Sequence, residues 1–461
     1  MAAVAIPIHL MSGATSVVEI LPDTTVKKLK QLLKAFHPSQ DELTQELSTV
    51  QLILDGQKLD EHDDETAVSA GISPLADVQV LFTIKPPVKC VGHSLSDCSV
   101  RDLQDVCIPD QEDFVGDNAF RGCSYLLRVS IPNSVNQIRC CAFGDCSSLT
   151  TLSLPASLTQ IGNGAFQRCS SLKSLVIPDS VTHIGRSAFE GCTSCTSFGM
   201  PSSLTCIETG AFRLCSSLTS LVIPHSVTWI RDSAFAHCGS LRSLTIPNSV
   251  TKIGEDAFVH CISLSSVCIP NSVTIIGACA FEGCTSMHSL TLSDSLREIG
   301  YRTFAGCCSL THLIVPDSVS QIGMGAFSGC FSLTSVIIPD SLLGIATSAF
   351  QGCKSLASLT IPNSVFHLGN AAFADCSSLT SLTIPNSVTE IGFQAFANCM
   401  SLRSLSILSS AARIGDHAFK GCNALTDVQF PESLQSQTKR FFEGCGHLPR
   451  TPSGSVLARC E

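Results

Sequence analysis

The sequence has little charge and no long apolar run. Only 14% of its residues are Asp, Glu, Lys or Arg, and the formal net charge is −10. No stretch of about 18 apolar residues is present, so no membrane-spanning helix is predicted. Lys and Arg form no cluster, whereas a nucleic-acid-binding surface needs a basic patch to neutralise phosphates. The composition therefore argues against nucleic-acid binding and against a membrane span.

Targeting signals are also missing from the sequence. The N-terminal segment has no basic residues before its apolar stretch, and Pro7 and His9 interrupt that stretch, so it does not resemble a signal peptide. None of the eleven Asn lies in an N-x-Ser/Thr pattern, which secreted proteins use for glycosylation. We therefore expect a cytoplasmic protein, with the nucleus as the alternative.

Motifs for catalysis and metal binding are absent as well. The sequence contains no G-x-S-x-G, no H-E-x-x-H and no kinase motif. Its one C-x-x-C, from Cys192 to Cys195, has no second Cys or His pair at zinc-site spacing. We predict no enzymatic activity, no catalytic residue, no cofactor and no metal site.

A strict 23-residue repeat fills most of the chain. Fifteen Phe follow one another at this spacing from Phe120 to Phe442, and a Cys stands three residues after each, from Cys123 to Cys445. A fixed period of this size is typical of a solenoid, in which each coil contacts only its neighbours. One Cys per repeat indicates a small core residue that faces inward, rather than a disulfide framework.

The apolar pattern within a repeat predicts two short extended segments. In one unit Leu382 and Ile384 alternate with polar residues, which is typical of a half-buried strand, and Pro385 ends it. Val388 and Ile391 then point inward from a second extended segment.

Turns are expected on either side of this second segment. The Ser before Val388 is expected to bond its own backbone in a turn. Gly392 is expected to give the backbone freedom for the next bend. A short helical turn through Ala395 and Phe396 would close the coil.

The repeat resembles the BspA-like class of leucine-rich repeats. Its motif is close to C-x-S-L-x-x-L-x-I-P-x-S-V-x-x-I-G-x-x-A-F, as at 376–396 and 238–258. The resemblance implies a right-handed, β-rich leucine-rich-repeat solenoid that binds other proteins or surfaces, here about 15 coils of 23 residues over 98–448. Many members of this class are surface or adhesive proteins. The tail at 449–461 is expected to be disordered.

The N-terminal segment at 1–84 follows a different pattern. Ile6, Ile8 and Leu10 alternate as a strand, a helix is predicted after Asp23, and Leu52 lies in a later strand. This order resembles a ubiquitin-like domain, an α+β fold of the β-grasp type, over 1–84. A proline-stiffened linker is expected at 85–97.

The ubiquitin-like resemblance implies recognition rather than conjugation. Thr83 and Ile84 lead into the linker where ubiquitin has a free diglycine, so the segment cannot be conjugated. The resemblance places an exposed apolar patch, which would contact ubiquitin-receptor domains, at Met11, Ile53 and Leu81. The alternative is that these three residues pack the sheet or the linker.

Three apolar residues of the repeats are candidates for a second protein-binding surface. Trp229, the only Trp of the chain, and Ile275 stand just before an inward Ile, and Phe366 occupies a neighbouring outward position. Exposed aromatic residues often anchor interfaces. The alternative is that they are scattered surface residues.

Two functions follow from these expectations. In the first, the protein is an intracellular adaptor whose solenoid binds a target and whose N-terminal domain contacts the ubiquitin pathway. In the second, it is a structural or adhesive surface-type repeat protein.

Overall fold

The computed structural model describes residues 104–410 and 412–445, together with five N-terminal strands. The chain divides into two compact units, and the second contains the repeats. The predicted helix after Asp23, Met11, the linker at 85–97 and the tail at 449–461 lie outside the described residues.

The five N-terminal strands form one mixed sheet. Its order is β2-β1-β5-β3-β4, with β1 and β5 parallel at the centre and the other neighbouring strands antiparallel. The predicted strand residues Ile6, Ile8 and Leu52 fall within these strands, whereas Leu10 lies outside the described residues. The strands are β1 Val4–His9, β2 Thr15–Ile20, β3 Leu47–Leu54, β4 Gln57–Lys58 and β5 Val78–Ile84.

Most coils of the solenoid contribute a first and a second strand to two parallel arrays; the coil at 357–361 has no first strand, and the last coil has no second strand. A strand pairs with the equivalent strand of the neighbouring coil, as Leu221 pairs with Leu244 and Ile138 pairs with Ile161. The described chain forms about 14 such coils, close to the 15 expected. The first strands are Asp105–Cys107, Arg128–Ser130, Thr151–Leu152, Ser174–Val176, Ser197–Gly199, Ser220–Val222, Ser243–Thr245, Ser266–Cys268, Ser289–Thr291, His312–Ile314, Ser335–Ile337, Ser381–Ile384, Ser404–Ile407 and Asp427–Gln429. The second strands are Phe114–Val115, Gln137–Ile138, Gln160–Ile161, His183–Ile184, Cys206–Ile207, Trp229–Ile230, Lys252–Ile253, Ile275–Ile276, Glu298–Ile299, Gln321–Ile322, Gly344–Ile345, His367–Leu368, Glu390–Ile391 and Arg413–Ile414.

A column of stacked Phe rings runs through the core. Successive ring centroids from Phe120 to Phe442 lie 5.1 to 5.5 Å apart, and the planes stay within 11° of each other except at the last pair. These Phe side chains are buried. Because a buried Phe contributes about 1.5–3 kcal/mol, the column is a large part of what stabilises the solenoid.

The repeated Cys forms a second buried column. From Cys146 to Cys445, each thiol donates a hydrogen bond of 3.0 to 3.5 Å to the backbone carbonyl of the Phe in the preceding coil. All of these thiols are buried, and those from Cys146 to Cys422 form no disulfide. The prediction of an inward-facing core residue is confirmed.

Two predictions about the turns are wrong: the turn Ser does not bond its own backbone, and Gly392 is not needed for its conformational freedom. The hydroxyl of Ser387, for which the turn bond was predicted, is buried and has no hydrogen-bond partner among the described residues. In other coils the equivalent Ser reaches the preceding coil instead, as Ser180 Oγ donates to the Leu158 carbonyl at 2.6 Å. Gly392 does not adopt a positive φ. A Cβ at Gly392 would lie 2.5 Å from the backbone N of Asn370, so glycine is needed there for close approach between coils.

The predicted helical turn around Ala395 and Phe396 is also wrong. Gln394 and Asn398 have φ values of 54° and 59°. Left-handed residues interrupt a right-handed helix. The Phe396 amide instead donates to the Ala418 carbonyl of the next coil at 2.7 Å, so this stretch joins coils through turns.

The last coil of the solenoid differs from the others. A 3₁₀ helix at Glu432–Gln437 and helix α1 at Thr438–Phe441 take the place of a second strand. Leu434, Phe441 and Phe442 are buried there. Side chains of a short helical segment thus cover the apolar end of the core, as a solenoid terminus requires.

Candidate protein-binding surfaces

The first strands expose two columns of side chains, which together we call the strand face. One column, the serine column, contains Ser174 and its equivalents in the following coils. The other column lies two residues further along each strand and contains four of the most exposed large apolar residues described. We call it the apolar column: its exposed fractions are 77% at Val176, 78% at Val222, 64% at Ile314 and 59% at Ile337.

The strand face carries no charged side chain over eleven coils. From Ser174 to Ser406 the two columns contain Ser, Thr, Val, Ile, Gly, one His and one Cys, but no Asp, Glu, Lys or Arg. His312 and the exposed Cys268 are its only titratable groups. An uncharged face with exposed β-branched residues favours contact over area with another neutral surface.

Two shallow cavities lie on the strand face. The first, of about 480 Å³, is lined by Gly199 and Val222, and we call it the Gly199 notch. The second, of about 450 Å³, is lined by Thr291, Ile314 and residues of the same two coils. The face therefore has recesses as well as protruding side chains.

Trp229 and Ile275 lie on the opposite array, that of the second strands. Both occupy one column, separated by Lys252. The Trp229 ring is half-buried and lies between two cations: the Arg231 guanidinium carbon is 4.0 Å from the ring centroid and Lys252 Nζ is 5.6 Å away. Ile275 is exposed. The ring of Trp229 is thus largely occupied by contacts within the chain.

Phe366 lies apart from the other two candidates. It is exposed, and its amide donates to the carbonyl of Leu343, which is also exposed, at 2.9 Å. Four coils separate Phe366 from Ile275, roughly 19 Å at the usual strand spacing. The structure therefore does not bring Trp229, Ile275 and Phe366 together in one patch.

The N-terminal candidates are defined only by strand register. In the antiparallel pair of β3 and β5, Ile53 lies opposite Gln79 and Leu81 lies opposite Gln51. Opposite residues, and residues two apart in one strand, share a face of a sheet. Ile53 and Leu81 therefore occupy positions on the same face.

The apolar column was missed by sequence analysis, although the sequence contains a signal for it. In the affected strands three apolar residues follow one another, as in Leu221-Val222-Ile223, instead of the usual Leu-Thr-Ile. The middle residue must point outward when its neighbours point inward. Sequence analysis instead singled out Trp229, Ile275 and Phe366 as the candidates on the repeats.

Other chemistry is sparse in the part of the chain that the structure describes. His237 and His260 stack with ring centroids 5.1 Å apart, and burial together with His260 lowers the pKa of His237. No group of three side chains there is arranged to hold a metal ion. Within the same residues, no helix is both long and apolar enough to cross a membrane.

Comparison with known proteins identifies the repeats. The model of the BspA type leucine rich repeat region matches 96–218, 205–334 and 343–451. A leucine-rich repeat protein from Bacteroides ovatus is 32% identical, with 76% of this chain and 84% of that chain covered and a TM-score of 0.61. No curated protein matches the chain.

Two further solved structures are more distant. A leucine rich cell surface protein from Faecalibacterium prausnitzii is 28% identical, covers 67% of this chain and 88% of its own, and has a TM-score of 0.42. The pneumococcal vaccine antigen PcpA is 21% identical, with coverages of 63% and 84% and a TM-score of 0.45. The family match spans well over half of the residues, and the coil geometry agrees with it. The chain belongs to the BspA-type leucine-rich-repeat family, whose solenoids are typically non-enzymatic binding scaffolds.

Proposed function

We propose that the chain is a protein-binding scaffold that holds its partner on the strand face. The observation that carries this proposal is the apolar column, where Val176, Val222, Ile314 and Ile337 are exposed on a face without charge. Large apolar side chains exposed in a row on a rigid array mark an interaction site. The array is rigid because its strands stack on those of neighbouring coils and pack on the Phe column.

The chemistry of the face favours a protein partner. Hydroxyl groups of the serine column can exchange hydrogen bonds with backbone groups, while the apolar column supplies contacts that exclude water. A nucleic acid would require cations that this face lacks. An extended, neutral protein surface therefore complements it best.

A capture experiment with the full chain tests this proposal. Ile314→Asp places a charge within the expected contact and should reduce the recovery of the bound partner at least about tenfold, because the charge would be buried on binding. Met400→Asp is the matched control, since Met400 is similarly exposed but lies outside the strand face. Equal recovery with both variants would contradict the use of this face.

Family membership favours a surface or adhesive role, with the chain located at the cell surface. Many proteins of this class act at surfaces, and an extended neutral face suits adhesion, which depends on contact area more than on one deep pocket. Surface biotinylation of intact cells that express the chain tests this setting. Labelling of the chain together with a known surface protein supports it, and labelling only after lysis contradicts it.

An intracellular adaptor is the second candidate, supported by two observations. The order β2-β1-β5-β3-β4 with a parallel central pair is the strand arrangement of a ubiquitin-like, β-grasp domain. The repeated Cys from Cys146 to Cys422 form no disulfide, and neither do the exposed Cys107, Cys140 and Cys268, which suits a reducing compartment such as the cytoplasm.

Binding of the full chain to a ubiquitin-receptor domain tests the adaptor role. Weak binding is expected, and Ile53→Ala should abolish it if the face shared by Ile53 and Leu81 is used. Val222→Ala, on the strand face, is the control and should bind as the unmodified chain does. No binding at high receptor concentration would leave the surface role as the better proposal.

A further inference from the structure

We propose that a second copy of this chain is a partner of the strand face, packed face to face in the opposite solenoid direction. This inference rests on the proposed function because it uses the same face. It rests on the order of the side chains and cavities along that face, which is nearly symmetric about one midpoint.

The first symmetric feature is the apolar column itself. It runs over eight coils from Val176 to Ile337, and its midpoint lies between Thr245 and Cys268. Exposed apolar residues occupy both ends, and small or polar residues occupy the middle. A two-fold axis at the midpoint, parallel to the strands, would bring the column onto the same column of a second copy.

The two cavities give an independent second feature with the same midpoint. The cavity at Gly199 spans the second and third coils of the column, and the other cavity spans the sixth and seventh. The two-fold operation exchanges these coils. Each copy would therefore place Ile314 opposite the Gly199 notch of the other, and Val222 opposite Thr291.

Such a contact is self-complementary in shape and in charge. An interface that uses one patch on both subunits must not oppose like charges, and the two columns of this face contain no charged residue, although Asp294 lines the edge of the second cavity. The eight coils measure roughly 40 Å at ~4.8 Å per strand. A contact two columns wide over that length lies near the lower end of the roughly 1,200–2,000 Å² that stable interfaces bury, so it is large enough for a small but specific interface.

Sedimentation velocity of the full chain over a wide concentration range tests the proposal. The unmodified chain should shift from monomer to dimer as its concentration rises. Val222→Asp should weaken the dimer at least about tenfold, because it places a charge against the partner's apolar column. Met400→Asp should associate like the unmodified chain. A monomer at every concentration, or a dimer weakened by Met400→Asp but not by Val222→Asp, would overturn the proposal.

A charge pair tests the register. Val222→Asp combined with Thr291→Lys in one chain should restore the dimer, because each Asp then faces the partner's Lys. Val222→Asp combined with Thr245→Lys has the same net charge but the wrong position, and it should stay monomeric. Equal rescue by both pairs would refute this register. All variants should keep the unmodified unfolding transition, since these side chains point outward.

Cross-linking gives a measurement that does not depend on association strength. Cys268 lies half a coil from the proposed axis, so two copies would bring these exposed thiols close together. In a chain whose Cys107 and Cys140 are changed to Ser, a short bismaleimide should link Cys268 to Cys268, and Cys268→Ser should remove that product. Loss of a captured partner in Ile314→Asp without any dimer in the unmodified chain would refute self-association and leave the proposed function intact.

Discussion

Inside the solenoid each coil copies the one before it, whereas on the strand face the residues change from coil to coil. The inner columns repeat Phe and Cys from end to end, and the ring spacings stay between 5.1 and 5.5 Å. The outer column instead alternates Val, Gly, Thr, Cys and Ile over the same coils. Inward side chains must pack against the coils on both sides, whereas outward side chains face solvent. Only the outward positions are therefore free to vary and to specify a partner.

Deletions within the repeats should have the largest effect, because they test whether inward and outward positions stay in register. Deleting one whole coil, Ser377–Cys399, should leave a cooperatively folded, shorter solenoid, because Phe373 and Phe419 become neighbours with unchanged register. Deleting only about half a coil, 377–387, should abolish cooperative folding, because inward and outward positions no longer match. Urea unfolding followed by circular dichroism distinguishes the two. Equal stability of both deletions would contradict a solenoid held by coil register.

Alkaline pH should act on the inner column and not on the strand face. Burial raises the pKa of Cys261, Cys330 and Cys376 from an ordinary 9.0 to about 12. Their contribution to stability is complete below about pH 9 and is lost as the pH rises toward 12, because the unfolded chain then ionises its thiols first. Denaturant melts across this range should show a steep fall. Rapid alkylation of native Cys376 at neutral pH, at the rate of the exposed Cys268, would show that the thiol is not buried.

Single substitutions should separate the two regions by a few kcal/mol. Phe258→Ala removes a fully buried ring that stacks at 5.3 and 5.1 Å on its neighbours, and it should cost about 3–5 kcal/mol. Val222→Ala, on the strand face, should change the free energy of unfolding by less than about 0.5 kcal/mol. Urea melts measure both values. Similar costs for the two variants would mean that inside and outside are not energetically distinct.

Paired glycine substitutions should sharpen the same contrast with the smallest effect. Gly392→Ala forces a Cβ to within 2.5 Å of the Asn370 amide N and should cost about 1–3 kcal/mol as overpacking. At Gly344 the nearest heavy atom to a Cβ is 3.7 Å away, so Gly344→Ala should be nearly neutral. Thermal melts of the two variants measure this difference in stability. A neutral Gly392→Ala would show that neighbouring coils can separate at no cost.

The repeat predicted the buried part of the fold because an apolar residue at a fixed position in every coil indicates that the position is buried. The positions of Leu382, Ile384 and Ile391 as inward residues follow from the alternation alone, and all three are buried. The roles of Gly392 and of the turn Ser did not follow, because both depend on the preceding coil, a full repeat away in the sequence. Local turn rules contain no information about that neighbour.

The candidate surfaces were harder to predict for the same physical reason. Trp229 is conspicuous in the sequence, but only the structure shows that Arg231 and Lys252 lie against its ring. Val222 and Ile314 are inconspicuous because apolar residues flank them. Exposure depends on which face a residue occupies, and a run of three apolar residues conceals the outward one.

The fixed sequence offset between contacting coils also has an evolutionary consequence. Duplication or loss of one whole coil within the gene preserves every type of inner contact. The number of coils can therefore change during evolution while the chain still folds. On the strand face the same event moves Val222 relative to Thr291 by one step. A lineage that gains a coil between them would keep its architecture while losing recognition of its former partner, so specificity can diverge faster than fold.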